Sequence, residues 1–339
     1  MDNFKSSSQS CEETVQTPGG TVWKLAQSTS SIVTEVEKLP QTAQCDSPIW
    51  LNLKKALIYT DKSGKYVYCY HSDRGYCETM KFDKLVGFAI PTNETKEGDI
   101  FLAVGLEDQI VEANFSKKTI MRVLVRRSPT VVEMRFVGGK CTSDGTLFSW
   151  CAPNEQGKRG NVYMLNKKLE LEQPLSSTQI HQPNGCALSK GNNFYLVDSS
   201  VGIYSWKMID RLGRKALITR KVAYSLSAQS ITAGHFLGGM TIDEEDMLWV
   251  VICGPGLLIR IDPSTEEEIY RIELPCKNPT DCSFGGENLD EIYITCTERE
   301  NGETGRGKLF RIFVPWLKGT DTVLMDVPVF TRLKFSRKY

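Results

Sequence analysis

No stretch of this 339-residue chain is long and apolar enough to cross a bilayer as a helix. The best candidate, residues 247–261, is too short and is broken by Gly254, Pro255 and Gly256. An excess of either charge is also missing. Lys+Arg and Asp+Glu both number 41, so nothing electrostatic argues for nucleic acid or an anionic membrane as partner. Histidine is scarce, at His71, His181 and His235 only. Eleven cysteines are present, but no CxxC pair, which removes the spacing a soft-ligand zinc site needs. The polar N-terminus lacks the basic and then apolar pattern of a secretory signal. Reduced, buried thiols and a cytoplasmic location are therefore expected. No GxSxG stands on a strand-turn-helix. The GETGRG run at residues 302–307 lacks the strand before and helix after that a phosphate loop requires, and reads as a hairpin tip. No segment carries a sustained helical stripe, which disfavours a parallel α/β fold.

What is present is a repeat. Residues 1–30 are rich in Ser, Thr and Gln and read as an extension that cannot bury enough apolar surface to order itself. Residues 31–339 read as one unit. Six short β-branched and aromatic runs recur: ALIYTD from Ala56, IFLAVG from Ile100, TLFSWC from Thr146, NFYLVD from Asn193, MLWVVI from Met247 and IYITCT from Ile292. Their starts lie 44, 46, 47, 54 and 45 residues apart, and a second run follows each after a short turn. A period in the mid-forties with about four strands per unit predicts an all-β fold. The expected form is a six-bladed β-propeller of four-stranded antiparallel blades around a central tunnel, with five or seven blades as the alternatives.

In such a ring the entries of equivalent strands converge on one mouth of the tunnel. That register holds Asp46, Arg135, Val137, Asn184, Gly238, Thr280 and Asp281. Asp46 and Asn184 offer hard oxygen donors for a divalent cation, though each also suits a turn cap. Cys45, Cys186 and Cys282 fall beside the mouth and read as core thiols. His71 reads as a surface residue, while His181 and His235 precede mouth segments.

These mouth segments resemble the senescence-marker-protein/gluconolactonase/luciferin-regenerating-enzyme family, the regucalcin-like propellers. The likeness is carried by CDSPIW at Cys45, DKLVGFAIP at Asp83, RFVGGK at Arg135, PNG at Pro183, GGMTIDEEDMLWV at Gly238 and CSFGGENLDEIYITC at Cys282. The resemblance implies one cation, Ca²⁺ or another divalent ion (Zn²⁺, Mn²⁺, Mg²⁺), in the tunnel mouth, and hydrolysis of lactones or related esters. It assigns Asp46 and Asn184 as metal ligands, and Arg135, Val137 and Glu155 to the substrate side. Two positions depart from the pattern. Gly238 stands where the third ligand and general base, an aspartate, is expected. Val137 replaces a polar asparagine.

Two functions follow. One is a cation-dependent lactone or ester hydrolase with a depleted site and weak activity. The other is a non-catalytic propeller that kept the tunnel and binds a small ligand. His235 or Asp281 is available to compensate for Gly238. A small molecule in the tunnel mouth is the expected partner, and the chain is expected to be a monomer.

Overall fold

A strand of alternating β-branched and aromatic residues has two faces to hide, and a four-stranded sheet cannot hide both alone. The structure, a computed structural model, resolves this by stacking sheets around a ring. It describes residues 33–128, 133–153, 159–176, 178–211, 214–298 and 305–328, with the backbone of 13–17 and 20–24. Six four-stranded antiparallel sheets form the six blades of a β-propeller. Residues Glu13–Thr17 and Gly20–Lys24 pair as a separate two-stranded hairpin. The rest of the expected N-terminal extension lies outside the described residues.

The predicted runs are the second and third strands of each blade. In blade one the strands are Cys45–Leu51, Ala56–Asp61, Tyr66–His71 and Tyr76–Lys81. Blade four has Pro183–Leu188, Asn193–Asp198, Gly202–Arg211 and Arg214–Ser225. Its last two strands, of 10 and 12 residues, and the helix Ala228–Thr232 account for the long spacing of 54 before blade five. Ring closure comes from both ends of the chain. Val33–Glu35 supplies the outer strand of blade six by pairing with Gly307–Phe313. Glu291–Thr297 and Gly307–Phe313 pair antiparallel within blade six, and residues 302–304 of the run at 302–307 lie outside the described residues.

The apolar core is divided into six walls, one between each pair of adjacent blades. Leu51, Ile58, Val86 and Leu102 fill the wall between blades one and two. Cys45, Trp50, Tyr59 and Tyr293 fill that between six and one. Trp249, Val251, Phe284 and Ile294 do the same between five and six. At roughly 1.5–3 kcal/mol for each large apolar side chain removed from water, each wall outweighs any single polar contact at the mouth.

After its last strand the chain passes under the ring. The Glu244 amide donates to the Lys318 carbonyl, the Gly319 amide to Leu289, the Met325 amide to Pro91 and the Asp326 amide to Gly145. This strap touches blades five, six, two and three, and buries Leu317, Met325 and Val327.

Candidate functional site

The inner strand of every blade bulges near its entry. Pairing with the second strand slips between Asp46 and Ile49, Val86 and Phe88, Phe136 and Gly138, Asn184 and Cys186, Leu237 and Met240, and Pro279 and Asp281. A bulge twists a strand and re-aims the residues beside it. Six bulges at one level therefore make a collar at the tunnel mouth. In blade one the bulge carries Ser47 at φ 51, in the left-handed region that a non-glycine residue rarely adopts. Its hydroxyl donates to the Gly87 carbonyl at 3.2 Å and to Asp46, tying blade one to blade two.

Below the collar lies a cavity of about 390 Å³. Its lining begins one residue inside Asp46 and Asn184, at Ser47 and Gly185, and draws on the inner strands of all six blades. Phe88, Ile90, Trp150, Met240, Ile242 and Phe284 give the wall its apolar part, and its charged members are Lys140, Lys190, Asp281 and Asp321, with Ser, Thr and Asn side chains between them. Residues 320–323 of the strap line the far end.

At the mouth, Asp46 is buried and fully engaged. Its Oδ2 accepts from the Lys62 ammonium at 2.6 Å, and its Oδ1 accepts from the Ser47 amide at 2.6 Å and the Ser47 hydroxyl at 3.1 Å. Lys62 is itself mostly buried, with 19% of its side chain exposed. The Asn184 Oδ1 accepts from the Gly185 amide at 3.0 Å, and its Nδ2 donates to Ser199 at 3.4 Å.

Gly238 offers no donor, and its open side does not face the tunnel. A Cβ there falls 2.5 Å from the Val251 Cγ2 and 2.7 Å from the Thr280 carbonyl oxygen, so an aspartate needs blades five and six to move apart. The neighbouring Gly239 leaves room of a different kind. A Cβ on it falls inside the carboxylate of Asp281, which reaches over from blade six and lines the cavity. Burial, and then the negative charge of Asp46, push the Asp281 carboxyl up to about 8, while Lys140 and Lys62 pull it down. Thr280, in register with Asn184, spends its hydroxyl on the Cys45 carbonyl at 2.6 Å and on Thr295.

The other sequence candidates are placed as follows. Arg135 is exposed at the start of Met134–Cys141, and Val137 packs on the wall between blades three and four. Glu155 lies outside the described residues. His235 covers Gly254 and is not among the cavity-lining residues. His71 is buried rather than on the surface. It stacks on Tyr76 at 4.5 Å and bonds Glu78 at 3.0 Å, because the hairpin folds Tyr76 back over it. The Cys45 and Cys186 thiols are buried and pushed up to about 12 by desolvation, as core thiols are. Sequence reasoning missed Lys62 and Lys140. Their one signal was position, in a turn after a blade-one strand and at the end of RFVGGK.

Tested against a divalent cation, the donors that the resemblance assigns do not fit. One carboxylate is held by an ammonium, the amide oxygen is held by a backbone N–H, and the third position is a glycine. Among the described residues no group of three or more His, Cys, Asp or Glu side chains converges as a metal site. No helix among them is long and apolar enough to cross a membrane.

Comparison with known proteins agrees with the fold. The sequence model of the SMP-30/gluconolactonase/LRE-like region matches residues 45–298. A regucalcin of Danio rerio is 28% identical over 257 residues, covering 74% of this chain and 81% of its own. A regucalcin of Oryctolagus cuniculus is 28% identical, covering 76% and 85%. A luciferin-regenerating enzyme superposes with a TM-score of 0.77 at 22% identity, over 87% of this chain and 99% of its own. A calcium-binding regucalcin of Agrobacterium tumefaciens reaches 0.73 at 16% identity, over 86% and 96%.

Proposed function

The chain belongs to the SMP-30/gluconolactonase/LRE-like family, and from that premise we propose that it binds a small molecule in its tunnel without divalent-cation lactone hydrolysis. The observation that carries this reading is the Lys62–Asp46 pair. An ammonium 2.6 Å from the carboxylate supplies the positive charge that a cation would otherwise bring. Cation affinity follows the number of anionic ligands, and Gly238 has already removed one. A Ca²⁺ ion at Asp46 has to displace Lys62 and break a largely buried ion pair. What remains is a cavity of about 390 Å³ in which aromatic and aliphatic side chains alternate with polar ones, a form suited to a small ligand.

One observation favours the hydrolase reading. Asp281 brings a second carboxylate near Asp46, where the family pattern has an aspartate at the position of Gly238. Its Oδ1, however, accepts from the Cys282 amide at 2.7 Å, and burial raises its pKa, so a cation here has to compete with a proton.

Calorimetric titration of metal-stripped protein with Ca²⁺, Mg²⁺, Mn²⁺ and Zn²⁺ decides between them. The expected result is no one-site binding in the micromolar range and no gluconolactonase turnover above background. A micromolar one-site isotherm, or turnover abolished by chelation, overturns the proposal in favour of the hydrolase.

A further inference from the structure

The tunnel contains one cation that the fold does not use. Lys140 lies near the end of Met134–Cys141 in blade three, half-buried, and lines the cavity between Gly139 and Cys141. Among the described residues its ammonium makes no hydrogen bond and no ion pair. Its charge is nevertheless felt by Cys186 of blade four and by Asp281 and Cys282 of blade six, so it acts across the lumen. The other lysine near the tunnel mouth, Lys62, is neutralised by Asp46.

A half-buried ammonium without a counter-ion is costly in an apolar cavity and attracts an anion strongly there. The same cavity is lined by Phe88, Trp150, Met240 and Ile242, which offer flat and aliphatic surface to a ligand body. We propose that the tunnel takes a small apolar molecule with a single carboxylate, whose acid group pairs with Lys140 and whose body lies against these four side chains. A single negative charge suits one ammonium. A phosphate dianion brings a second charge beside the carboxyl groups of Asp281 and Asp321, and the other lining lysine, Lys190, already donates its ammonium to the Glu244 carbonyl. This inference rests on the reading of the tunnel as a ligand site free of divalent cations.

The test is calorimetry of the whole chain, in chelator, with matched aryl and alkyl carboxylates and the corresponding alcohols. Acids are expected to bind more tightly than their alcohols. Lys140→Met is expected to weaken the acids about tenfold and to leave the alcohols nearly unchanged, while Lys140→Arg keeps the preference. Lys140→Gln serves in place of Lys140→Met if the latter does not fold. Equal binding of acid and alcohol, or an acid preference that survives loss of the ammonium, overturns the inference and leaves the proposed function standing. Binding of no member of either series overturns both. An acid preference that appears only when divalent cation is added also overturns both, because the ion rather than Lys140 then receives the carboxylate.

Discussion

Lys62 reaches back from the turn after Ala56–Asp61 to close on Asp46, and both side chains are largely out of water. Removing one partner of such a pair leaves the other uncompensated. Lys62→Met should cost about 3 kcal/mol and lower the melting temperature. The freed carboxylate then prefers a cation, so millimolar Ca²⁺ should raise the melting temperature of the variant and not that of the unaltered chain. Equal Ca²⁺ shifts in both proteins contradict the assignment of Lys62 as the resident charge. Asp281 makes a different prediction. Its carboxyl is pushed up to about 8 in the folded chain from an ordinary 3.8, so between those values the folded state holds more protons than the unfolded one. Stability is then greatest below the lower value, falls as pH rises, and levels off above about 8. Asp281→Asn should remove that slope and be more stable than the parent at pH 8 relative to pH 5, as read from urea midpoints at both pH values.

At the scale of elements, the strap beneath the ring and the collar of bulges define the two ends of the tunnel. Met325 is 1% exposed and packs in the wall between blades two and three. Met325→Ala should cost about 2–5 kcal/mol, measured by chemical denaturation. A loss below about 1 kcal/mol would mean that the strap lies on the ring without packing into it. These elements also show where the sequence could be read. The second strand of each blade is buried on both faces, so its residues form dense β-branched and aromatic runs such as ALIYTD and NFYLVD that stand out. The outer strands, such as Tyr76–Lys81 and Thr119–Arg126, are partly solvated and mixed in composition, and nothing marks them. Asp46, Asn184 and Gly238 could be placed at the mouth because register in a repeat compares residues far apart, and the resemblance to the family marked Gly238 as the position of a missing aspartate. Lys62 and Lys140 were not, because a lysine in a turn or at a strand end has the same local signature whether it meets a carboxylate, the lumen or water. The open side of Gly238 was equally hidden, since its neighbour Val251 belongs to the facing strand and Thr280 to the next blade.

For the whole molecule, dividing the core into six walls means that no blade is stable by itself, since each half-covers its neighbours. Stability therefore depends on the ring remaining closed. The Val36 amide donates to the Leu309 carbonyl at 2.8 Å just beyond the Val33–Glu35 ladder. Val36→Pro removes that donor and should cost at least about 1 kcal/mol, with faster proteolysis near the N-terminus. An unchanged cleavage rate would show that the bond from Val36 to Leu309 does not help hold the closing strand in place. The same closure sets an order on synthesis. Residues 33–35 leave the ribosome before any blade exists, and their partner at Gly307–Phe313 is among the last segments made. The growing chain is an open arc with two bare flanks until nearly all of it has emerged. A ribosome that stalls before blade six thus releases a protein whose first and fifth blades both present uncovered apolar faces, a direct route to aggregation or chaperone capture.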